Sequence, residues 1–130
     1  MDKDLNKLTK EFFDCLLNWN YEKITQMCNQ NINWVVYAPH PIGGTYQGID
    51  GIINLLKKLE RKIPKGLTFI FKKIVIQSPF VAVEWIDLGL DNRGNSYKNR
   101  GMNFISFDEE GKIKEISEIV DSSVLNELFN

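Results

Sequence analysis

The side chains of this 130-residue chain best suited to chemistry are carboxylates and amides in apolar company. Glu118 alternates with Ile116 and Val120. If these three share an inward face, burial raises the carboxyl pKa and suits it to general acid–base work. The opposite phase turns Ile113, Glu115, Ser117 and Ile119 inward and leaves Glu118 in water. Asp87 continues the alternation Val81, Val83, Trp85, while Phe80, Ala82, Glu84 and Ile86 form the other face. Both faces are apolar, so periodicity does not choose between Asp87 and Glu84. Asn99 and Asn103 lie on one face with Gly101 between them. Asparagine is poor strand material, so the pair reads as a polar pocket wall or as hydrogen-bonded structural amides. A mid-strand glycine fits a bulge, a bend or room for a ligand.

Other reactive types narrow the chemistry by their scarcity. His40 is the one histidine and sits between Pro39 and Pro41. It reads as a proton-exchanging group at a pocket mouth or as an exposed loop side chain with no role. A single ring excludes a multi-histidine metal site within one subunit, and a carboxylate metal site has no supporting motif. The metal reading is therefore none. Cys15 and Cys28 lack CxxC spacing and fall in helical patterns, where a buried, inert thiol is expected. Gly43-Gly44 lacks the spacing and lysine of a phosphate loop. Trp34 and Tyr46 read as core or pocket aromatics.

The elements that must carry these groups follow from spacing. Leu5, Leu8, Phe12, Cys15 and Leu16 recur at steps of three and four, giving an amphipathic helix over 4–17. A second, short helix spans 21–28, and a polar turn follows at 29–31. Residues 32–37 read as a strand, and Pro39 to Gly44 as a loop. Helical spacing returns over 49–63, with Asp50 complementing the helix dipole. Four strand runs follow, 67–77, 80–90, 97–107 and 112–120, separated by turn residues and expected to pair as a meander. A terminal helix covers 121–129, with Asp121 or Ser122 as N-cap. Helices segregated from an antiparallel sheet give an α+β class. Strands of about ten residues must twist and curl. Helices laid on such a sheet leave a cone, a natural small-molecule pocket.

Composition bounds the rest. One domain over 1–130 suits the length, and such a chain buries roughly two-thirds of its unfolded surface without staples. The balance of 16 Lys plus Arg against 17 Asp plus Glu gives no basic footprint, so nucleic acid is not an expected partner. No apolar run reaches the roughly 18 residues of a membrane span. The charged start, Met1-Asp2-Lys3-Asp4, lacks a signal peptide's apolar stretch. The expected location is cytoplasmic.

The order of motifs resembles the SnoaL-like branch of the NTF2-like, or ketosteroid-isomerase-like, superfamily. The matching residues are Trp34; Pro41-Ile42-Gly43-Gly44-Thr45-Tyr46-Gln47-Gly48; Val81-Ala82-Val83-Glu84-Trp85; Tyr97-Lys98-Asn99-Arg100; Gly111-Lys112-Ile113; and Glu118-Ile119-Val120-Asp121. The resemblance implies an NTF2-like cone, with three helices from the N-terminal half packed on a strongly curved, mostly antiparallel sheet. It also implies acid–base groups on the cone's inner face. At the position of the steroid isomerases' base stands Ala38, and at that of their tyrosine donor Phe12. Asn103 falls at their second oxyanion donor and keeps a donating NH2. The superfamily's epoxide hydrolases place an arginine where Trp85 stands, an acid at Asp87 and another near Glu118. SnoaL-type cyclases need mainly a carboxylate near the last strand, for which Glu118 or Asp121 serves.

These readings give a candidate catalytic set of Glu118, Asp87 and Asn103. The candidate substrate-binding set is Trp34, Tyr46, Trp85, Asn99, His40 and Phe12. Isomerase- or cyclase-type chemistry on an apolar carbonyl or ring compound is the leading function, with a non-catalytic binding or accessory domain as the alternative. No cofactor is implied. The expected partners are a small apolar or polycyclic ligand and a second copy of the chain. The resemblance places that copy on the outer sheet face, which carries Phe104, Ile86 and Met102.

Overall fold

A computed structural model describes residues 4–130. The reading of the charged start at 1–3 lies outside the described residues. Helix α1 (Leu5–Asp14) begins where Asp4 accepts a hydrogen bond from the Lys7 amide at 3.0 Å. It runs on into a 3-10 turn, Cys15–Leu17. Asn20 caps α2 (Tyr21–Met27) in the same way, accepting from the Lys23 amide at 3.1 Å. Helix α3 (Gly48–Lys62) buries Ile52, Leu55 and Leu56 and carries Asp50 in its first turn. Asp121 caps α4 (Ser122–Phe129) by accepting from the Ser123 amide. Among the described residues, no helix is long and apolar enough to cross a membrane.

The strands are β1 (Cys28–Tyr37), β2 (Gly44–Gln47), β3 (Thr68–Gln77), β4 (Phe80–Leu90), β5 (Ser96–Phe107) and β6 (Ile113–Val120). They form one curved sheet in the order β2-β1-β6-β5-β4-β3. Strands β3 to β6 form the expected meander. The β1–β6 pair is parallel, and the other neighbours are antiparallel. The class is therefore α+β, with a mixed, mostly antiparallel sheet. Its concave face is filled by residues such as Phe12, Ile32, Leu56, Ile105 and Ile116.

Two local expectations change. Strand β2 takes Gly44, which the glycine signal assigned to the loop, and residues 45–47, to which the sequence reading gave no element. Gly43 packs so tightly against the preceding chain that a Cβ there would lie 1.5 Å from the Ala38 carbonyl oxygen. The chain doubles back at that point, and 44–47 fall into register with 33–36. Strand β1 also starts earlier than expected, at Cys28. The register shifts between Cys28 and Asn33, and this irregularity absorbs the polar residues between them. The Asn29 amide there donates to Asp108 at 2.8 Å.

Candidate active site

Alternation along three adjacent strands brings the acidic and amide side chains to one place. On β4, Val81, Val83, Trp85 and Asp87 are buried, and Glu84 faces the other way. On β5 the buried positions include Tyr97, Asn99 and Asn103. On β6, Ile116 and Val120 are buried, and Glu118 shares their phase, partly buried between them. Register then makes the contacts. Asp87 stands opposite Asn99, and Asn103 opposite Glu118.

The groups are linked. The Trp85 indole Nε1–H donates to Asn103 Oδ1 at 2.7 Å, and Asn103 Nδ2 donates to Glu118 Oε1 at 3.1 Å. An indole is a donor only, so it forces the amide oxygen of Asn103 toward itself and the NH2 toward Glu118. Gly101 makes this possible. A Cβ there would lie 2.6 Å from a Trp85 ring carbon, so only glycine lets the indole lie across β5 and reach Asn103.

Both carboxyls sit in a cavity of about 40 Å³ lined mainly by apolar side chains, among them Phe13, Leu55, Phe69, Trp85 and Leu125. Burial pushes Asp87 up to about 7, and the neighbouring Glu118 charge adds to this. Backbone amides of Asn99 and Asp87 oppose the rise. Burial also pushes Glu118 up to about 7, against the pull of the Asn103 amide and the Trp34 indole. Glu118 accepts one hydrogen bond, from Asn103, while Asp87 Oδ1 is buried without a partner. The two acids titrate as a coupled pair, in which the charge on one makes the other harder to ionise. Larger hollows lie near Asp108 and on the outer sheet face, but they are open to solvent and hold no buried acid.

The remaining candidates take other places. Trp34 is buried and lines the cavity. Phe12 is fully buried in the core behind it, with ring centroids 5.8 Å apart, and its neighbour Phe13 lines the cavity instead. Helical geometry points successive residues about 100° apart, so periodicity did not distinguish the two. Asn99 is spent on structure: its NH2 donates to Tyr97 OH at 3.1 Å and the Asp121 carbonyl at 3.2 Å, and its Oδ1 accepts from the Arg100 amide. Tyr46 is partly buried outside the cavity wall, where its hydroxyl donates to the Ile42 carbonyl. Lys58 Nζ donates to that hydroxyl at 3.2 Å and to the Pro41 carbonyl at 3.0 Å. Together they pin the loop that carries Ile42 into the cavity. His40 is exposed on that loop. Sequence reasoning missed Tyr97, which lines the cavity and whose hydroxyl accepts from Asn99. Its alternation with Asn99 and Asn103 was the available signal.

Cys15 and Cys28 are free and buried, with burial pushing the Cys28 thiol up to about 12. Among the described residues, no cluster of three or more His, Cys, Asp or Glu is placed to hold a metal.

A curved, mixed sheet backed by helices is the NTF2-like fold. The chain belongs to the SnoaL-like family, whose domain model matches residues 9–116. The match stops just short of Glu118. An NTF2-like protein of Burkholderia pseudomallei superposes with a TM-score of 0.82 at 13% identity, covering 98% of each chain. A "Putative Isomerase" from Rhodopseudomonas palustris gives 0.82 at 15%, covering 99% of this chain and 97% of its own. A "Putative SnoaL-like polyketide cyclase" from Jannaschia sp. CCS1 gives 0.77 at 12%, covering 97% and 94%. At these identities the likeness is one of fold. No curated protein matches the chain.

Proposed function

We propose that this protein moves a proton on a carbonyl or ring compound held in the cone, as an isomerase or cyclase does, without a cofactor. The observation that carries this is the pair of carboxyls, Asp87 and Glu118, raised to about 7 in one apolar cavity and differently supplied with donors. Two acids whose surroundings separate their roles are the usual basis of acid–base catalysis near neutral pH. Glu118, as the anion, removes a proton from the carbon beside the carbonyl. The electron pair passes to the oxygen, where the second Asn103 N–H stabilises the developing charge. Asp87 supplies a proton at the other end of the system. Transfer from Glu118 to Asp87 then restores the pair.

The test is exchange from D2O into the α-carbon of a panel of small ketones, followed by NMR. Accelerated exchange is expected, falling by about 10²-fold or more in Glu118→Gln. Compounds that bind without exchanging would turn the reading to a non-catalytic binding domain. Free, buried cysteines fit the reducing cytoplasm as its location.

We also infer a homodimer through the outer sheet face. Met102 and Ile119 are 53% and 63% exposed there, and Phe80 stacks on Phe104 with centroids 5.5 Å apart. Contiguous apolar exposure of this kind marks an interface. Light scattering behind size exclusion should give twice the chain mass, and Phe104→Glu should give a folded monomer. A monomeric wild type at micromolar concentration would exclude the dimer.

A further inference from the structure

The cavity contains one indole N–H and one carboxyl oxygen that the protein leaves open. Trp34 Nε1 and Asp87 Oδ1 are both buried without a hydrogen-bond partner, on residues only 4% exposed, and both residues line the cavity. The other two tryptophans show the contrast. Trp19 Nε1 donates to the Ile63 carbonyl at 3.0 Å, and Trp85 Nε1 donates to Asn103. Buried polar groups are nearly always paired, and exceptions ask for a reason. The Trp34 N–H lies beside Glu118, close enough to favour its anion, but closes no hydrogen bond of normal geometry.

Size limits what can answer these two groups. A water needs roughly 10–15 Å³ measured as this cavity is. Its 40 Å³ therefore admits about three waters, or a compact molecule of similar bulk. Pockets for drug-sized ligands run to about 300 Å³ or more. A fused-ring compound would require the walls to part.

We propose that the cavity takes a compact hydroxycarbonyl compound, a short chain or one small ring, whose carbonyl oxygen accepts from Trp34 Nε1–H and whose hydroxyl pairs with Asp87 Oδ1, accepting from the neutral acid or donating to the anion. This rests on the acid–base reading above and adds to it. Trp34 becomes the second donor, with Asn103, to the oxygen that gains charge when Glu118 removes the adjacent proton. The hydroxyl fixes the ligand's orientation, so a plain ketone of the same size is held less well.

The probe is 2-hydroxycyclopentanone, with cyclopentanone as the analogue lacking the hydroxyl, titrated to millimolar concentration into protein labelled with 15N at tryptophan. The hydroxyketone should move the Trp34 indole cross-peak downfield and leave those of Trp19 and Trp85 in place. It should bind roughly tenfold or more tighter than cyclopentanone, and roughly tenfold or more weaker to Trp34→Phe, because each change leaves a buried partner unpaired. Three results would overturn the proposal: no binding, binding with a motionless Trp34 peak, or equal binding of the two ketones. The wild-type cross-peak decides the matter even if the variant fails to fold. A carboxyl 13C titration separates this inference from the one it rests on. Acids titrating near 7 beside a silent Trp34 peak sink the ligand assignment alone. Acids in the ordinary carboxyl range beside a responding Trp34 peak sink the catalytic reading and leave a binding site.

Discussion

Glu118→Gln and Asp87→Asn are each expected to stabilise the protein at mildly alkaline pH while slowing proton transfer by about 10²-fold or more. Burial lifts both carboxyls from their ordinary values of 4.5 and 3.8 to about 7. The folded state therefore binds protons that the unfolded state has already lost, and stability falls as pH rises from the ordinary values through about 7. A group with a raised carboxyl pKa costs nothing below that window and most above it. Each pH unit between the ordinary and raised values is worth about 1.4 kcal/mol. Sharing of one proton and relaxation of the site reduce the total, so each amide variant should gain about 1–3 kcal/mol above the window. At about pH 4 the gain should vanish, because both acids are then neutral in the wild type. Urea melts across this range check the prediction. A wild-type stability that rises with pH through the window would contradict it. In Glu118→Gln the Asp87 carboxyl should also titrate lower than before, because the neighbouring negative charge is gone.

Gly101→Ala is expected to be the most damaging single-methyl change at the site. The new Cβ would lie 2.6 Å from a Trp85 ring carbon and 2.7 Å from the Ile119 carbonyl oxygen. The β6 backbone cannot yield without disturbing the pairing of Gly101 with Val120, so the indole must move. Overpacking of this kind costs about 1–3 kcal/mol, or several degrees of melting temperature in a domain of this size. A second effect distinguishes this variant from mere destabilisation. Displacing Trp85 breaks its bond to Asn103 and frees the amide to rotate away from Glu118. Glu118 then loses a donor to its anion, and its pKa rises further. Thermal melts and a carboxyl 13C titration of the same sample check both parts. A variant with wild-type stability and an unmoved Glu118 would show that Gly101 does not hold this arrangement.

Legibility in the sequence differed by element. Helix α3 was readable because Ile52, Leu55, Leu56 and Leu59 recur at helical spacing and Pro64 follows its end. The meander was readable because each turn between β3 and β6 carries Pro, Gly, Asn or Asp. Strand β2 was not, since Gly43-Gly44 is a loop signal and its four residues become a strand only by lying against β1. The parallel β1–β6 pair joins residues some eighty positions apart, and no local pattern encodes it.

The same division runs through the site. The sequence by itself determined which groups were available: one histidine, no metal motif, carboxylates within apolar strands and two asparagines flanking a glycine. It also determined that Glu118 shared a phase with Ile116 and Val120, because strand alternation is a local property. Only the tertiary structure decided between Asp87 and Glu84, since both faces of β4 are apolar and the packing of the helices selects the inner one. Only register separated the two asparagines, placing Asn103 opposite Glu118 and leaving Asn99 to hold the start of α4. The open donor on Trp34 was equally hidden. An indole's partner depends on which neighbouring strand it meets, and that contact is made across the sheet rather than along the chain.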